Sequence, residues 1–578
     1  MILNDEYKVD EMHRRGIRVS KLTASITIFV ALLIIVVASI LLAILESAKI
    51  ITARKNITVY SNLATESLFS EYQPFLYDEY KIFALDVGED TSNVKKSIEG
   101  RLDEYVSMEV KGNQKTLVNV SPSKTAVNAY EMLTDNDGEG FVKLLRKVIG
   151  YEITRDALKK LKDEYEEWNM DNPEDSSNEL SGESIAQAVE YINAAEAAEQ
   201  ESEASTEEEG DTDGDDADSD VSETAKNGKN DGNPETGSKQ VKQMSYKMTG
   251  EESIYEEDVS SDEQSTENDD GAQGASNVVS FLKRLSSLDE AGLAALLIDN
   301  PESISNLSIP QEERLETRQL LVGNSDSKTE SDWYDKMIID YFCNKHMKCY
   351  TDCSESDANE SDEAAKALKY ELEYIVFSEY SDKENLENAM LYMFGIREAV
   401  NSYHLLTSQE KNNEALVLAQ AITLILASPE ATQAVQTGII AAWATAETIY
   451  EIRALTNGKK VCITKNDNNW NLGLSEISNC FTKETNLTED EKGITYKQYL
   501  AARFVGLETK KLSYRTMDIM ELNTRSAGYT GAKMDHMLIG LECEFDYVSE
   551  NKFWGLIPSE MNTFEGYYLN NSVSRKYY

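Results

Sequence analysis

The chain has 578 residues, with 104 acidic against 56 basic side chains and a net charge of −48. Nucleic-acid binding needs a positive surface to neutralise phosphates, and no basic stripe occurs beyond Arg14, Arg15, Arg18 and Lys21, so no nucleic-acid partner is expected. More than half of the net charge falls within residues 171–270.

Ile26 to Leu45 is an apolar run of 20 residues interrupted only by Thr27 and Ser39. As a helix it spans roughly the 30 Å hydrocarbon core of a bilayer. A cleaved secretory signal has a similar basic flank, but its apolar core runs only about 7 to 15 residues. Residues 1–22 are therefore expected as a cytoplasmic N-terminus and 23–46 as a single transmembrane helix. Basic residues near a span stay on the cytoplasmic side, which places the remainder outside the cell, with the lipid bilayer as a partner.

Past the span, Ile50, Ile57 and Ala64 recur every seven residues with Ala53, Tyr60 and Leu68 between them, predicting a stalk helix with one apolar face. Two occupants of that face are equally consistent with the pattern: a neighbouring helix, or the chain's own ectodomain core. Glu46, at the outer end of the apolar run, either remains hydrated at the interface or contacts a neighbouring anchor helix. After Pro74 the residues Tyr80 to Val87 predict a short strand, followed by helices near Thr91–Tyr105 and Gly140–Trp168. Asp135-Asn136-Asp137-Gly138 reads as a turn and helix cap, because the twelfth position of a calcium loop starting at Asp135 is Arg146 rather than Glu.

Residues 47–170 thus form a membrane-proximal stalk with a small α/β region, and 171–275 an acidic insertion. Within that insertion Glu201 to Asp220 holds eleven acids and no base, a composition that cannot offset its chain entropy and predicts disorder. A short helix is expected around Ser184–Ala198.

Residues 276–530 predict a helical ectodomain, with segments at Val278–Ile298, Ala364–Phe377, Lys383–Leu406, Asn413–Ala427, Ala431–Leu455 and Tyr496–Asn523. Small and apolar residues occupy every face of Val435–Ala446, so that helix is expected at the centre with Trp443 as a core anchor. Glu447 in the same helix needs a partner, and Arg397 is expected to supply it as a structural ion pair. Residues 531–578 form a C-terminal β region: Leu541, Cys543, Phe545 and Tyr547 alternate strictly with Glu542, Glu544 and Asp546, and Phe564–Leu569 is expected to pair with them. The fold class is mainly α, with a small antiparallel β portion.

No HExxH helix, Walker loop or G-x-S-x-G elbow occurs. Ser121-Pro122-Ser123-Lys124 matches S-x-x-K, yet neither S-D-N nor K-T-G follows, and Pro122 sits between nucleophile and lysine. No catalytic residue, cofactor or metal is assigned. The six cysteines suit an exterior location, where disulfides form in fifteen connectivities, although all six would stay reduced in an anaerobe. Cys462 and Cys480 are a candidate bridge across the Trp470 loop.

Several phrases point to a family. Thr23-Ala24-Ser25-Ile26-Thr27-Ile28-Phe29, Leu45-Glu46-Ser47-Ala48, Phe69-Ser70-Glu71-Tyr72 with Asp78-Glu79-Tyr80, Asp382-Lys383-Glu384-Asn385-Leu386, Ile396-Arg397-Glu398-Ala399-Val400-Asn401, Trp443-Ala444 with Glu447, Arg453-Ala454-Leu455, Gly458-Lys459-Lys460-Val461 and Arg515-Thr516-Met517-Asp518 resemble a bacterial membrane-anchored family of unknown function. Its anchor is similar to those of the TadE and TadG-like pseudopilins of tight-adherence (Flp) pilus systems. The resemblance implies a role in surface assembly or adhesion through pilin-like or pilus-platform membrane proteins, and it supplies no catalytic residues. A prepilin processed after Gly16 would carry Glu at its fifth mature position, where this chain has Lys21. The function expected is that of an extracytoplasmic assembly protein acting by protein–protein binding, with an extracellular cell-envelope enzyme or an independent adhesin as the alternative.

Overall fold

The structure, a computed structural model, describes residues 5–88, 93–112, 118–150, 186–190, 193, 270–287, 296–298, 304–324, 333–353, 367–425, 428–481, 493–551 and 566–578. Helix α1 runs unbroken over Asp5–Phe69, 65 residues, so it is about 97 Å long at 1.5 Å per residue. The stretch from Ile26 to Leu41 is bare, and the last part lies on a sheet.

Short helix α2 (Pro74–Tyr80) follows, closed by Lys81 in the left-handed region at φ 58°. The strand expected from Tyr80 is therefore reduced to β1 (Leu85–Asp86), because Tyr80 itself ends a helix. Helix α3 (Val94–Gly112) precedes β2 (Val120–Met132), and α4 spans Asp135–Ile149. The turn expected at Asp135 is present: Asn136, Asp137 and Gly138 all have positive φ, at 53°, 63° and 85°. Strands β3 (Met537–Glu550) and β4 (Gly566–Lys576) complete an all-antiparallel sheet with β3 at its centre, β2 along one edge, and β1 and β4 along the other.

The sheet thus joins strands from residues 47–170 to strands from 531–578. One face is covered by α1 and α3: Ala53, Ile57, Tyr60, Ala64 and Leu68 of α1, and Ile98, Leu102 and Val106 of α3, meet Cys543, Phe545 and Tyr547 of β3 and Leu569 and Val573 of β4 in a single apolar cluster. Strand β2 carries no clean alternation, because Pro122 and three register shifts, at Pro122/Lys124, Val127/Ala129 and Glu131/Met132, break its period.

The second core belongs to the helical body: α5 (Asp270–Ser286), α6 (Trp333–His346), α7 (Glu371–Phe377), α8 (Asp382–Thr407), α9 (Gln409–Ile425), α10 (Thr432–Thr456), α11 (Tyr496–Gly506) and α12 (Thr509–Ser526). Helix α8 opens with a reciprocal cap between Ser381 and Glu384. Helix α10 is buried along almost its whole length, and Trp443 is fully enclosed, as the apolar composition of every face predicts. The single helix expected over Tyr496–Asn523 is two, parted at Leu507 and Glu508, which are extended. The acidic tract lies outside the described residues except for 186–190, 193 and the start of α5. Residues 186–190 are helical, and Val189 among them packs on the body.

Candidate functional site

The exposed surface of α1 is the most distinctive feature of the molecule. From Ile26 to Leu45 its side chains are open apart from the half-buried Leu42 and Ala43, with Ile28 at 63 % and Ile44 at 58 % exposure, and this is the described helix long and apolar enough to cross a membrane. Ser39 donates to the Val36 carbonyl at 2.8 Å and Ser47 to that of Ala43 at 2.8 Å, so these hydroxyls are satisfied within the helix and present no unpaired donor to an apolar surrounding.

Protein covers one face of the helix from Glu46 onward. Glu46 is 1 % exposed and pairs with Lys49 at 3.1 Å, and Lys49 also donates to the carbonyl of Glu550 at the end of β3. Glu46 is therefore enclosed rather than hydrated, its charge balanced one turn away. Ile57 and Ala64 are buried against the chain's own sheet, while Ile50 is half-buried. Between the two occupants the heptad face allowed, the structure selects the chain's own core. Near the junction, Ile40, Leu41, Ile44 and Ile51 are among the residues that α1 leaves open for a neighbour. Lys49 was missed by reading for apolar spacing alone, though its place three residues after Glu46 marks an intrahelical ion pair.

Arg397, Glu447 and Trp443 meet in the helical body, but not in the pairing expected. Arg397 makes two hydrogen bonds to Glu451, Nε to Oε2 and Nη2 to Oε1, both at 2.9 Å, and its remaining amine donates to the carbonyls of Cys462 and Ile463. Glu447 lies one turn earlier on α10 and is satisfied by Lys465 at 2.6 Å and by the backbone amides of Asn471 and Leu472 at 2.9 Å each. Lys465 bridges both acids, reaching Glu451 at 2.6 Å, and is 1 % exposed at its side chain. Two cations and two anions are thus enclosed together. Burial pushes the Glu451 carboxyl up, but Arg397 and Lys465 outweigh it and hold the group below its usual range. The arrangement staples the irregular segment around residues 462–472 onto α8 and α10, and Trp443 completes the staple by donating to the Leu472 carbonyl at 2.8 Å. Lys465 lies in a polar stretch with no periodicity, so nothing in its sequence surroundings announces its burial.

Three further carboxyls are enclosed and accept their hydrogen bonds from neutral donors. Burial raises Asp340, Glu373 and Asp518 each to about 7. Asp340 accepts from Asn344 at 3.0 Å, Glu373 from the Tyr496 hydroxyl at 2.7 Å and the Tyr350 amide at 2.9 Å, and Asp518 from the Tyr374 hydroxyl at 3.0 Å and the Leu315 amide at 2.9 Å. These acids serve as acceptors inside the body.

The bridge expected between Cys462 and Cys480 is not formed; all six cysteines stand as thiols. Cys480 is buried, which pushes its thiol up to about 12. Burial also raises Cys343 and Cys349, so none of these three is disposed toward the thiolate needed for exchange or metal binding. Among the described residues, no three His, Cys, Asp or Glu side chains converge to hold a metal ion. Ser121 and Lys124 of the S-x-x-K stretch are exposed on strand β2, where the backbone is extended rather than helical.

Residues 271–549 match the model of a family of unknown function, DUF5702. No curated protein and no solved structure matches the chain.

Proposed function

We propose that this protein is a single-pass membrane protein, N-terminus inside and ectodomain outside the cell, that works as an accessory component of a surface-assembly system by binding other membrane proteins. The observation that carries the reading is the division of α1. One continuous helix buries its distal part on the chain's own sheet and leaves a bare apolar length of bilayer dimensions, and an exposed apolar surface of that size requires lipid or other helices around it. The basic residues before Ile26 support the orientation. The similarity of the anchor to TadE and TadG-like pseudopilins supports a partner among pilin-like subunits or the platform proteins of a tight-adherence pilus, and with it a part in adhesion.

Lateral association of this kind uses residues that α1 leaves open. In-cell crosslinking from a photoreactive residue at Ile44 or Ile51, exposed at 58 % and 69 %, tests it directly. Capture of pilin-like subunits or a platform protein is the expected result. Recovery of lipid adducts alone from both positions refutes lateral assembly. Glu46 and Ile57 are unsuitable probes because the protein itself encloses them.

A further inference from the structure

The sheet and α1 run in step. Glu550, the last residue of β3, accepts from Lys49; higher up, Thr58 meets Asn571 at 3.4 Å, Ser61 meets the Tyr547 hydroxyl at 3.0 Å, and Arg575 pairs with Glu66. From Lys49 to Glu66 the helix rises about 26 Å at 1.5 Å per residue. From Tyr567 to Arg575 the strand β4 advances about 27 Å at 3.4 Å per residue. The two elements are therefore close to parallel over this length, and β3 descends beside them toward the apolar run. Its lower end is shared by three strands, because Val120 of β2 pairs with Ser549 and Gly566 of β4 pairs with Glu550.

The height of that end above the apolar run is fixed by the helix. Lys49 is four residues past Leu45, about 6 Å along the axis. The headgroup layer on one side of a bilayer is about 5–8 Å thick, from the difference between the whole membrane and its hydrocarbon core. We propose that the end of the sheet formed by Val120, Glu550 and Gly566 stands in the lipid headgroup layer, with Glu550 and the 82 %-exposed Tyr568 against the lipid headgroups. This inference rests on the reading that Ile26–Leu45 crosses the bilayer. Unbroken α1 gives the sheet no joint at which to lift away, and Lys49, paired with Glu46 on the helix, donates to the Glu550 carbonyl and ties strand to helix at the level where the apolar run ends. A tyrosine at this depth suits the boundary, its ring toward the apolar side and its hydroxyl toward water.

The full chain is reconstituted in phosphatidylethanolamine–phosphatidylglycerol nanodiscs, with a photoreactive phenylalanine analogue placed singly at Glu550, Tyr568, Glu542 or Ile35, and lipid adducts are read by mass spectrometry. Glu550 and Glu542 are exposed on the same face of β3, eight residues apart, which separates them by about 27 Å. Lipid adducts at Glu550, Tyr568 and Ile35, and their loss at Glu542, are expected. Adducts at Ile35 with none at Glu550 and Tyr568 overturn the standing sheet while leaving the anchor intact. Adducts at Glu542 equal to those at Glu550 overturn it too, because the sheet would then lie flat. Absence of adducts at Ile35 removes the anchor and the inference with it.

Discussion

Replacing Lys465 by Met removes the one cation that bridges Glu447 and Glu451 while keeping the length of the side chain. Arg397 then faces two buried carboxylates alone, and breaking a buried ion pair from one side costs about 3–5 kcal/mol. Glu447→Gln alone leaves Lys465 its bonds to Glu451 and the Asn469 carbonyl, but turns an amide toward donors that the carboxylate accepted from, and we expect about 2–4 kcal/mol. The double variant removes one charge of each sign and retains the two-bond pair of Arg397 with Glu451. Its loss should fall below the sum of the single losses by about 2–3 kcal/mol, the upper part of the range of about 0.5–3 kcal/mol seen for residues in one network. Urea unfolding of the full chain in nanodiscs reads this through tryptophan emission, since the Trp470 ring lies 5.2 Å from the Lys465 ammonium. Additivity to within about 0.5 kcal/mol would refute the idea that the charges act as one enclosed set.

The carboxyls raised to about 7 make stability depend on pH. Asp340, Glu373 and Asp518 hold protons in the fold that the unfolded chain has released above its usual carboxylate range near 4, so stability falls as pH rises between those limits. Asp340→Asn should flatten that fall by a few kcal/mol across about pH 4 to 7, and an unchanged slope in urea midpoints would argue against a buried acid there. Gly138→Ala places a Cβ 2.7 Å from that of Ser513 at a φ of 85° and should cost about 1–3 kcal/mol; a thermal midpoint equal to the parent's contradicts this. Trp443→Ala empties a fully enclosed site at a cost of about 3–5 kcal/mol, while the Leu472 carbonyl keeps its second donor, the Trp470 indole at 2.7 Å. Alkylation of the unfolded, unreduced protein should add six labels by mass, and four would show a disulfide that the structure lacks.

What the sequence made legible follows from period. The apolar run, the surrounded helix α10 and the alternation of β3 each carry a repeat of one structural type, and each is present at its expected place. Strand β2 and helix α6 were missed for opposite reasons. In β2 the bulges shift which face a residue joins, so alternation never accumulates; in α6 apolar residues point in several directions because the body surrounds the helix, burying even Asp335 and Asp340. The choice of Glu451 over Glu447 for Arg397 was out of reach for another reason. Both acids lie on one face of α10, a turn apart, and both meet Lys465; what separates them is that the backbone amides of Asn471 and Leu472 reach Glu447, delivered by a loop whose path no periodicity encodes.

Strand β3 links the two cores through its own alternation. At its upper end Met537 and Ile539 enter the core of the helical body, while Leu538 and Leu541 enter the cluster beneath α1, so both faces are buried there. Farther down, only one face stays covered, and Glu542, Glu544 and Asp546 turn outward. The segment matching the family model ends at Ser549, one residue short of the end of this strand, yet β1 and β2 precede that segment and β4 follows it. Without them β3 would present unpaired amides and carbonyls along both edges, a state that buried backbone does not sustain. The matched segment therefore depends for its central strand on residues outside it, and those residues are the ones fastened to α1. Lys49 joins α1 to the end of β3 at Glu550, and Met537 and Ile539 of the same strand enter the helical body, so one strand ties the helix to both cores.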